Sequence, residues 1–458
     1  MGKRLWLWAV TIGFVLLAGS VLGQQAKGNP VAEKFRSDFL AGKLTWNDVL
    51  TEAKKEGQVN WYHWGGSTEL NTWIDQVVKP ELAKFGIALK TFRVNDTRNA
   101  VDLVIADNAS GKGLGMGSVD AIWINGENFY TLGTQNLLFG PFADKLPNSK
   151  NFFFDPKEPR SKLNTSDFGY PTNLQEVPWS GEEYTCYIDT ARLKPADAPK
   201  TFQDLETWLR KTPGRFTYIK PPDFNGNTFV EEVMYAFNAG GPEPFQKRAK
   251  DLGLRNFIQA TKGGFEFLKR IDPFLLGGGG RDGVRGNPIY PNSPDALQTL
   301  LVNGQIDMGC EFGKYNAAIQ IKNGRFPPTV QNIIFPQKDM ISNKNYIAIP
   351  SNSPNPAAAL VLANVVSGID NQFSKLSQIG YPLGIDPGRL SAADQEAAAK
   401  ASLPLPGITL AQLGDNAVPD TNSSLVKVLE GIWQEYIERQ SGKPLEQIIA
   451  DSWNTQVK

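Results

Sequence analysis

The chain has 458 residues, 41% hydrophobic and 21% charged, which excludes a disordered or collagen-like protein and leaves room for two or three domain-sized cores. Its 47 basic residues balance 47 acidic ones, so no global field draws it onto nucleic acid or an anionic membrane, and any ligand contact must be local. Two cysteines and one histidine exclude Cys/His zinc sites and iron–sulfur ligation, whereas 11 Trp and 26 Phe supply rings for cores and for ligand stacking.

At the N-terminus Lys3 and Arg4 precede an apolar run over 5–18 and the small residues Gly19, Ser20 and Gly23. This is the grammar of a secretory signal peptide over residues 1–23. The run is shorter than the roughly 20 apolar residues of a spanning helix, so cleavage is expected rather than anchoring, with a periplasmic mature protein. No Cys stands there to take a lipid. Residues 24–56 read as a polar tether and a helix over 45–55. That helix is capped by Thr45, apolar at Trp46, Val49, Leu50 and Ala53, and stopped by Gly57. A strand over 59–64 leads through Gly65, Gly66 and Ser67 into a helix carrying Leu70, Trp73, Ile74, Val77 and Val78 and ended by Pro80. Strand 87–94, helix 97–107 and strand 119–124 repeat the unit, which predicts a parallel, helix-covered sheet. Gly111, Gly113, Gly115 and Gly117 lead into a strand, not into a Gly-Lys-Ser/Thr helix start, so they form a connection and not a phosphate cradle. The glycines at 277–280 read as a loop for the same reason.

A second α/β block follows, with strands over 183–188, 215–219 and 306–310 and helices over 202–210, 229–237 and 260–268. Strands over 332–335 and 345–349 then carry the chain back, ahead of helices over 356–368, 392–401 and 425–439. No repeat of fixed period is visible. The expected fold class is α/β with two lobes: lobe 1 from 57–178 plus about 343–390, lobe 2 from 179–342, and a C-terminal helical extension from about 391 to 458. Cys186 and Cys310 either pair in an oxidising compartment or stay as two buried thiols; the sequence leaves both open.

Catalytic chemistry finds little support. His63 is the one available imidazole and sits inside a strand, and Gly65-Gly66-Ser67-Thr68-Glu69 misses the nucleophile elbow at its last position. The adjacent pairs Glu182-Glu183 and Glu231-Glu232 point apart and read as solvated surface. Asp102, Asp107 and Asp120 lack calcium-loop spacing. No catalytic residue, metal site or cofactor is expected.

Ligand chemistry instead collects just after the strands, where open α/β sheets bind. Trp64, Gly65, Gly66 and Ser67 follow the first strand; Asn125, Gly126, Glu127 and Asn128 follow the third. Asp223, Phe224, Asn225 and Asn227, then Glu311, Phe312 and Asn316, follow strands of the second block. An acidic lining from Glu127, Asp223 and Glu311 beside aromatic rings favours a cationic ligand. The competing readings are an exported hydrolase using the same carboxylates, and a metal-ion carrier, which the lack of a Tyr-Tyr doublet disfavours.

Five segments carry a resemblance: 59–66 (VNWYHWGG), 117–129 (GSVDAIWINGENF), 138–141 (LFGP), 213–228 (PGRFTYIKPPDFNGNT) and 346–350 (YIAIP). They resemble the periplasmic solute-binding components of ABC importers, in the two-lobed type II class with iron-, polyamine- and thiamine-binding members, and are most similar to its YnjB-like, thiamine-type branch. The resemblance implies two lobes joined by crossing strands that close by hinge motion on a small ligand, thiamine-like or polyamine-like, and deliver it to the permease subunits of an importer. It implies a monomer with no nucleic-acid partner. Trp64, Gly65 and Gly66 match the first-strand loop; Trp123, Asn125, Gly126 and Glu127 match the third; Asp223, Phe224 and Asn227 match the second-lobe loop. Glu311 and Phe312 fall where the family has its next cleft-facing strand end. The segment 168–173 (FGYPTN) departs from the PVDG-like residues of the branch, and Thr172 stands where an acidic cleft residue is expected.

Overall fold

The structure, a computed structural model, describes residues 27–279, 286–337 and 339–457. The expected signal peptide and Gly280 lie outside them. Two helices precede the first strand where one was expected. Asn29 accepts from the Val31 N–H (2.9 Å) and Pro30 takes the first position of the helix Pro30–Leu40. The second, Trp46–Glu56, opens with a reciprocal capping box between Thr45 and Asp48 and ends at Gly57 in the left-handed conformation (φ 70°). Pro80 does not end the third helix. The helix Thr68–Trp73 widens through a π-turn over Ile74–Val78 and continues as Lys79–Lys84 with Pro80 in its first turn, and the wider turn absorbs the missing N–H.

Strands β1 (Gln58–Trp64), β2 (Ala88–Val94) and β3 (Ala121–Ile124) are parallel, with β1 in the middle. A small hairpin, β4 (Ser166–Asp167) and β5 (Tyr170–Pro171), precedes the long β6 (Glu176–Asp189). Then come β7 (Met308–Phe312), β8 (Val330–Ile333), β9 (Met340–Ala348) and β10 (Ala417–Val418). The sheet order is β2-β1-β3-β9-β6-β7, with β8 also paired to β6 and β10 to β9. Every pairing of β6 is antiparallel, as is β3 with β9. The parallel sheet expected in each lobe is thus found around β1, whereas around β6 the sheet is antiparallel, giving an α/β fold on a mixed sheet. The strand expected over 215–219 reduces to one bridge between Phe216 and Met308. Prolines at 213, 221 and 222 remove backbone donors around it, and its polar groups go to loops: Thr217 Oγ1 donates to the Ile289 carbonyl (2.6 Å) and the Lys220 N–H to that of Pro291 (2.9 Å).

Packing divides the molecule into two halves that share β6 and β9. Val177 and Trp179 of β6 and Ile347 of β9 belong to a core with Trp61, Trp73 and the buried helix Pro356–Val366. Tyr184, Cys186 and Ile188 of β6, with Met340 and Ile341 of β9, belong to another core with Phe202, Phe229 and Phe267. The segment beyond residue 391 behaves unevenly. The helix Ala392–Ala401 buries nothing, whereas Leu425, Leu429, Trp433 and Trp453 are part of the second core, and the Trp433 indole donates to the Tyr218 hydroxyl (2.9 Å). No helix of the described residues is long and apolar enough to cross a membrane.

Cys186 and Cys310 face each other in register on β6 and β7 and form a disulfide, which closes the question left open by the sequence. The bridge spans 124 residues and so restricts the unfolded chain strongly. Replacing both cysteines with serine is expected to lower stability by about 2–5 kcal/mol, read from urea unfolding of variant and parent. Thiol titration of the denatured, unreduced protein should find no free thiol.

Candidate functional site

A cleft of about 1140 Å³ opens between the halves. One wall is built at the C-terminal ends of the three parallel strands: Trp64, Gly66, Ser67 and Glu69 after β1, Asn95, Asp96 and Thr97 after β2, and Trp123, Asn125, Glu127 and Asn128 at the end of β3 and beyond. The other wall carries Asp223, Phe224 and Asn225 at the start of the helix Phe224–Ala236, Asp295 and Gln298 on the helix Pro294–Val302, Phe312 at the end of β7 and Asn316 beyond it. Glu182 of β6 and Asn343 and Asn345 of β9 form the floor, and Tyr381 completes the ring of contacts.

Twelve of the sixteen residues expected at a ligand site line this cleft: Trp64, Gly66, Ser67, Trp123, Asn125, Glu127, Asn128, Asp223, Phe224, Asn225, Phe312 and Asn316. Four do not. Gly65 is held in the sheet, its N–H donating to the Val94 carbonyl (2.9 Å). Gly126 adopts φ 58° and donates its N–H to Asp167 (2.7 Å); a Cβ there would press on the Phe168 ring. Asn227 lies on the far side of its helix and donates to Glu430 (2.7 Å). Glu311 sits beneath the surface of the cleft, accepting from Gln298 Nε2 (2.9 Å) and from Asn316, so it positions two amides that do face the cleft. Gly66 leaves room for the Trp64 indole, which a Cβ would strike. Asn125 hands its Nδ2 to Asn345 (2.9 Å), tying the β3 loop to the crossing strand.

The sequence reading missed Asn95, Asp96, Glu182, Asp295, Asn343, Asn345 and Tyr381. Asn95 and Asp96 follow β2 directly, so the strand-end rule applied to the other strands would have found them. The pairs Glu182-Glu183 and Glu231-Glu232 are not solvated surface: Glu182, Glu231 and Glu232 are buried, and Glu183 pairs with Lys314 (2.8 Å). Thr172 is buried away from the cleft, its hydroxyl donating to the Asn164 carbonyl (3.2 Å). His63 lies outside the cleft lining, buried against Trp61, with Nδ1 on the Trp64 carbonyl (2.9 Å); burial lowers its pKa to about 4. No group of three or more metal-ligating side chains that could hold an ion is found among the described residues.

Six carboxylates line the cleft: Glu69, Asp96, Glu127, Glu182, Asp223 and Asp295. Among the described residues no Lys, Arg or His joins them. Trp64 and Trp123 meet edge to face (5.9 Å between centroids) on one wall, and Phe224 stacks on Phe312 (5.1 Å) on the other. Burial raises the carboxyl pKa of Asp223 to about 6 and of Glu311 to about 8, and pushes Glu182 well above the usual range. Glu127 is raised by burial and by the nearby Glu430. In the unfolded chain these groups titrate near pH 4, so between about pH 4 and 8 the native state holds more protons than the unfolded state, and stability must fall as pH rises. His63 and Lys375, whose pKa values burial lowers, work the other way but are outnumbered. The ligand-free protein is therefore expected to melt at a higher temperature at pH 5.5 than at pH 8, as scanning calorimetry across that range would read.

Comparisons with known proteins agree with this geometry. Residues 76–404 match the family model described as bacterial extracellular solute-binding protein. Protein YnjB of Escherichia coli (strain K12) is 33% identical over 355 residues, covering 77% of this chain and 85% of that protein. Among solved structures, a solute-binding protein of an ABC transporter from Thermotoga lettingae TMO, bound with alpha-D-tagatose, aligns with a TM-score of 0.59 at 14% identity, over 87% of this chain and 98% of its own. Iron-bound HitA from Pseudomonas aeruginosa aligns with a TM-score of 0.50 at 15% identity, over 81% and 98%. The family model spans well over half of the chain, and the two halves meet on crossing strands around a cleft: the chain belongs to the bacterial extracellular solute-binding family, as a two-lobed type II binding component of an ABC importer.

Proposed function

We propose that the protein captures a small organic cation in this cleft in the periplasm and delivers it to the membrane permease of its importer. The observation that carries the reading is the lining itself, six carboxylates with no basic side chain among the described residues, set between aromatic walls. Low-dielectric walls focus such a field, so a chain of zero formal charge still attracts cations locally. The rings of Trp64, Trp123, Tyr381, Phe224 and Phe312 offer faces to an organic cation. The ligand is not set by the fold, since neighbours of the same fold hold a sugar and iron; the side chains of the cleft decide it.

Closure of the halves supports capture. Across the cleft, Gln320 Nε2 from the second half donates to Glu69 from the first (3.2 Å), a contact that opening must break. Both side chains line the cleft, so solute and latch share one space.

A thermal-shift screen should find stabilisation by organic cations such as thiamine or diamines and none by anions, because a ligand that binds only the folded state raises its stability. Calorimetry of a cation hit against Asp223→Asn and Glu127→Gln should show each losing about 1.5–3 kcal/mol of binding free energy, the range for hydrogen bonds to charged groups. Stabilisation by anions alone would refute the reading.

A further inference from the structure

The carboxylates of the cleft are not equivalent. Five of the six accept a hydrogen bond from a donor of the protein itself. Glu182 accepts none: it is 4% exposed and no protein donor reaches either oxygen. The two cations that face it are committed elsewhere. Lys375 Nζ donates to the carbonyls of Trp179 and Pro382 (2.7 Å each), and Lys314 Nζ to Glu183 (2.8 Å).

Its register partner across the β6–β9 ladder is Asn343, also 4% exposed. The Asn343 Nδ2 donates to Asp420 (3.4 Å), which leaves Oδ1 without a partner. Directly opposed residues of an antiparallel pair share a face, so three acceptor oxygens stand together on the cleft floor. Gln298 and Gln320, farther along the cleft, likewise present a buried Oε1 that no donor reaches. Among the described residues that line the cleft, no buried donor lacks a partner. The unmet demand is for hydrogen-bond donors, and at Glu182 for one that also carries positive charge.

We propose that Glu182 and Asn343 are the recognition point for an N–H-bearing cationic group of the ligand, an alkylammonium or amidinium, and that they discriminate against permanently alkylated cations of equal charge. This rests on the reading that the cleft takes an organic cation. A buried carboxylate without a donor is expensive, and an ammonium or amidinium answers it with both charge and hydrogen bonds. A trimethylammonium brings the charge behind methyl groups and leaves all three oxygens unmet. Because both residues lie on the crossing strands, the contact is made at the hinge and not on either wall.

The test is calorimetric titration, at pH 7.5, of the full mature chain with matched pairs: butylamine and butyltrimethylammonium, 1,4-diaminobutane and its bis(trimethylammonium) counterpart, benzamidine and benzyltrimethylammonium. The N–H-bearing member of a binding pair should bind at least about tenfold tighter. Glu182→Gln should weaken it roughly 10- to 100-fold and the alkylated member less than about threefold. Glu182→Asp, which keeps the charge, should fall between, and the unfolding midpoints of both variants check that they fold. If both members of each pair bind equally, or Glu182→Gln leaves the N–H-bearing member unchanged, the role given to Glu182 is wrong while the organic-cation reading stands. If no cation of either kind binds at millimolar concentration, the organic-cation reading falls and this one with it.

Discussion

The molecule depends on one antiparallel ladder. Each half has its own core, and the strands β6 and β9 run through both, paired from Glu176 with Ala348 to Glu183 with Ser342. Side chains alternate along a strand, so this ladder sorts residues by face. Ser180, Glu182, Asn343 and Asn345 share one face, and the last three line the cleft. On the opposite face Lys344 reaches Asp386 (2.6 Å) and Asn164 (2.7 Å) in a buried cluster. A slip of β9 by one residue would place Lys344 in the cleft and turn Asn343 and Asn345 away from it. Register, fold and ligand chemistry are therefore one specification.

The same ladder explains how a chain with no net charge holds a strongly acidic site. Charge is segregated by the architecture: strand ends and helix starts converge on the cleft and bring their polar residues with them. Asp223 caps the helix Phe224–Ala236, and Ser67 caps Thr68–Trp73, so part of the lining is positioned by ordinary helix capping. Glu311 adds a layer beneath, orienting Gln298 and Asn316. Removing carboxylates from water costs free energy that the apolar cores must offset, and raised pKa values are how the fold lowers that cost. On the proposed reading, protons and a cationic solute compete for the same oxygens, which couples ligand occupancy to stability by linkage.

Much of this was legible in the sequence because local rules suffice for it. Thr45 and Gly57 bound their helix by cap chemistry, the strand over 59–64 and its glycine turn fell where the alternation placed them, and eleven lining residues followed from the rule that ligands gather past strand ends. Misses arose where tertiary context overrides local signals. Pro80 reads as a stop but sits after a π-turn that only the packing of Trp73, Ile74 and Val78 enforces. The stretch over 215–219 has strand composition, but its flanking prolines hand its hydrogen bonds to loops.

The floor of the cleft was illegible for a more instructive reason. Adjacent glutamates on a strand do point apart, and that geometric inference was right; the step from there to solvent was not, because β6 crosses between two halves and is mostly covered on both faces. Glu182 meets the cleft, and Glu183 meets Lys314, which lies 131 residues away in sequence. Glu231 and Glu232 are buried for a different reason, since their helix Phe224–Ala236 is enclosed all round, and Glu232 accepts the Ile341 N–H of β9 (2.8 Å) across 109 residues. A strand reads as half-exposed only if one of its faces is free, and β6 is covered over nearly its whole length. Among the carboxylates that line the cleft, Glu182 is the one with no pairing inside the protein.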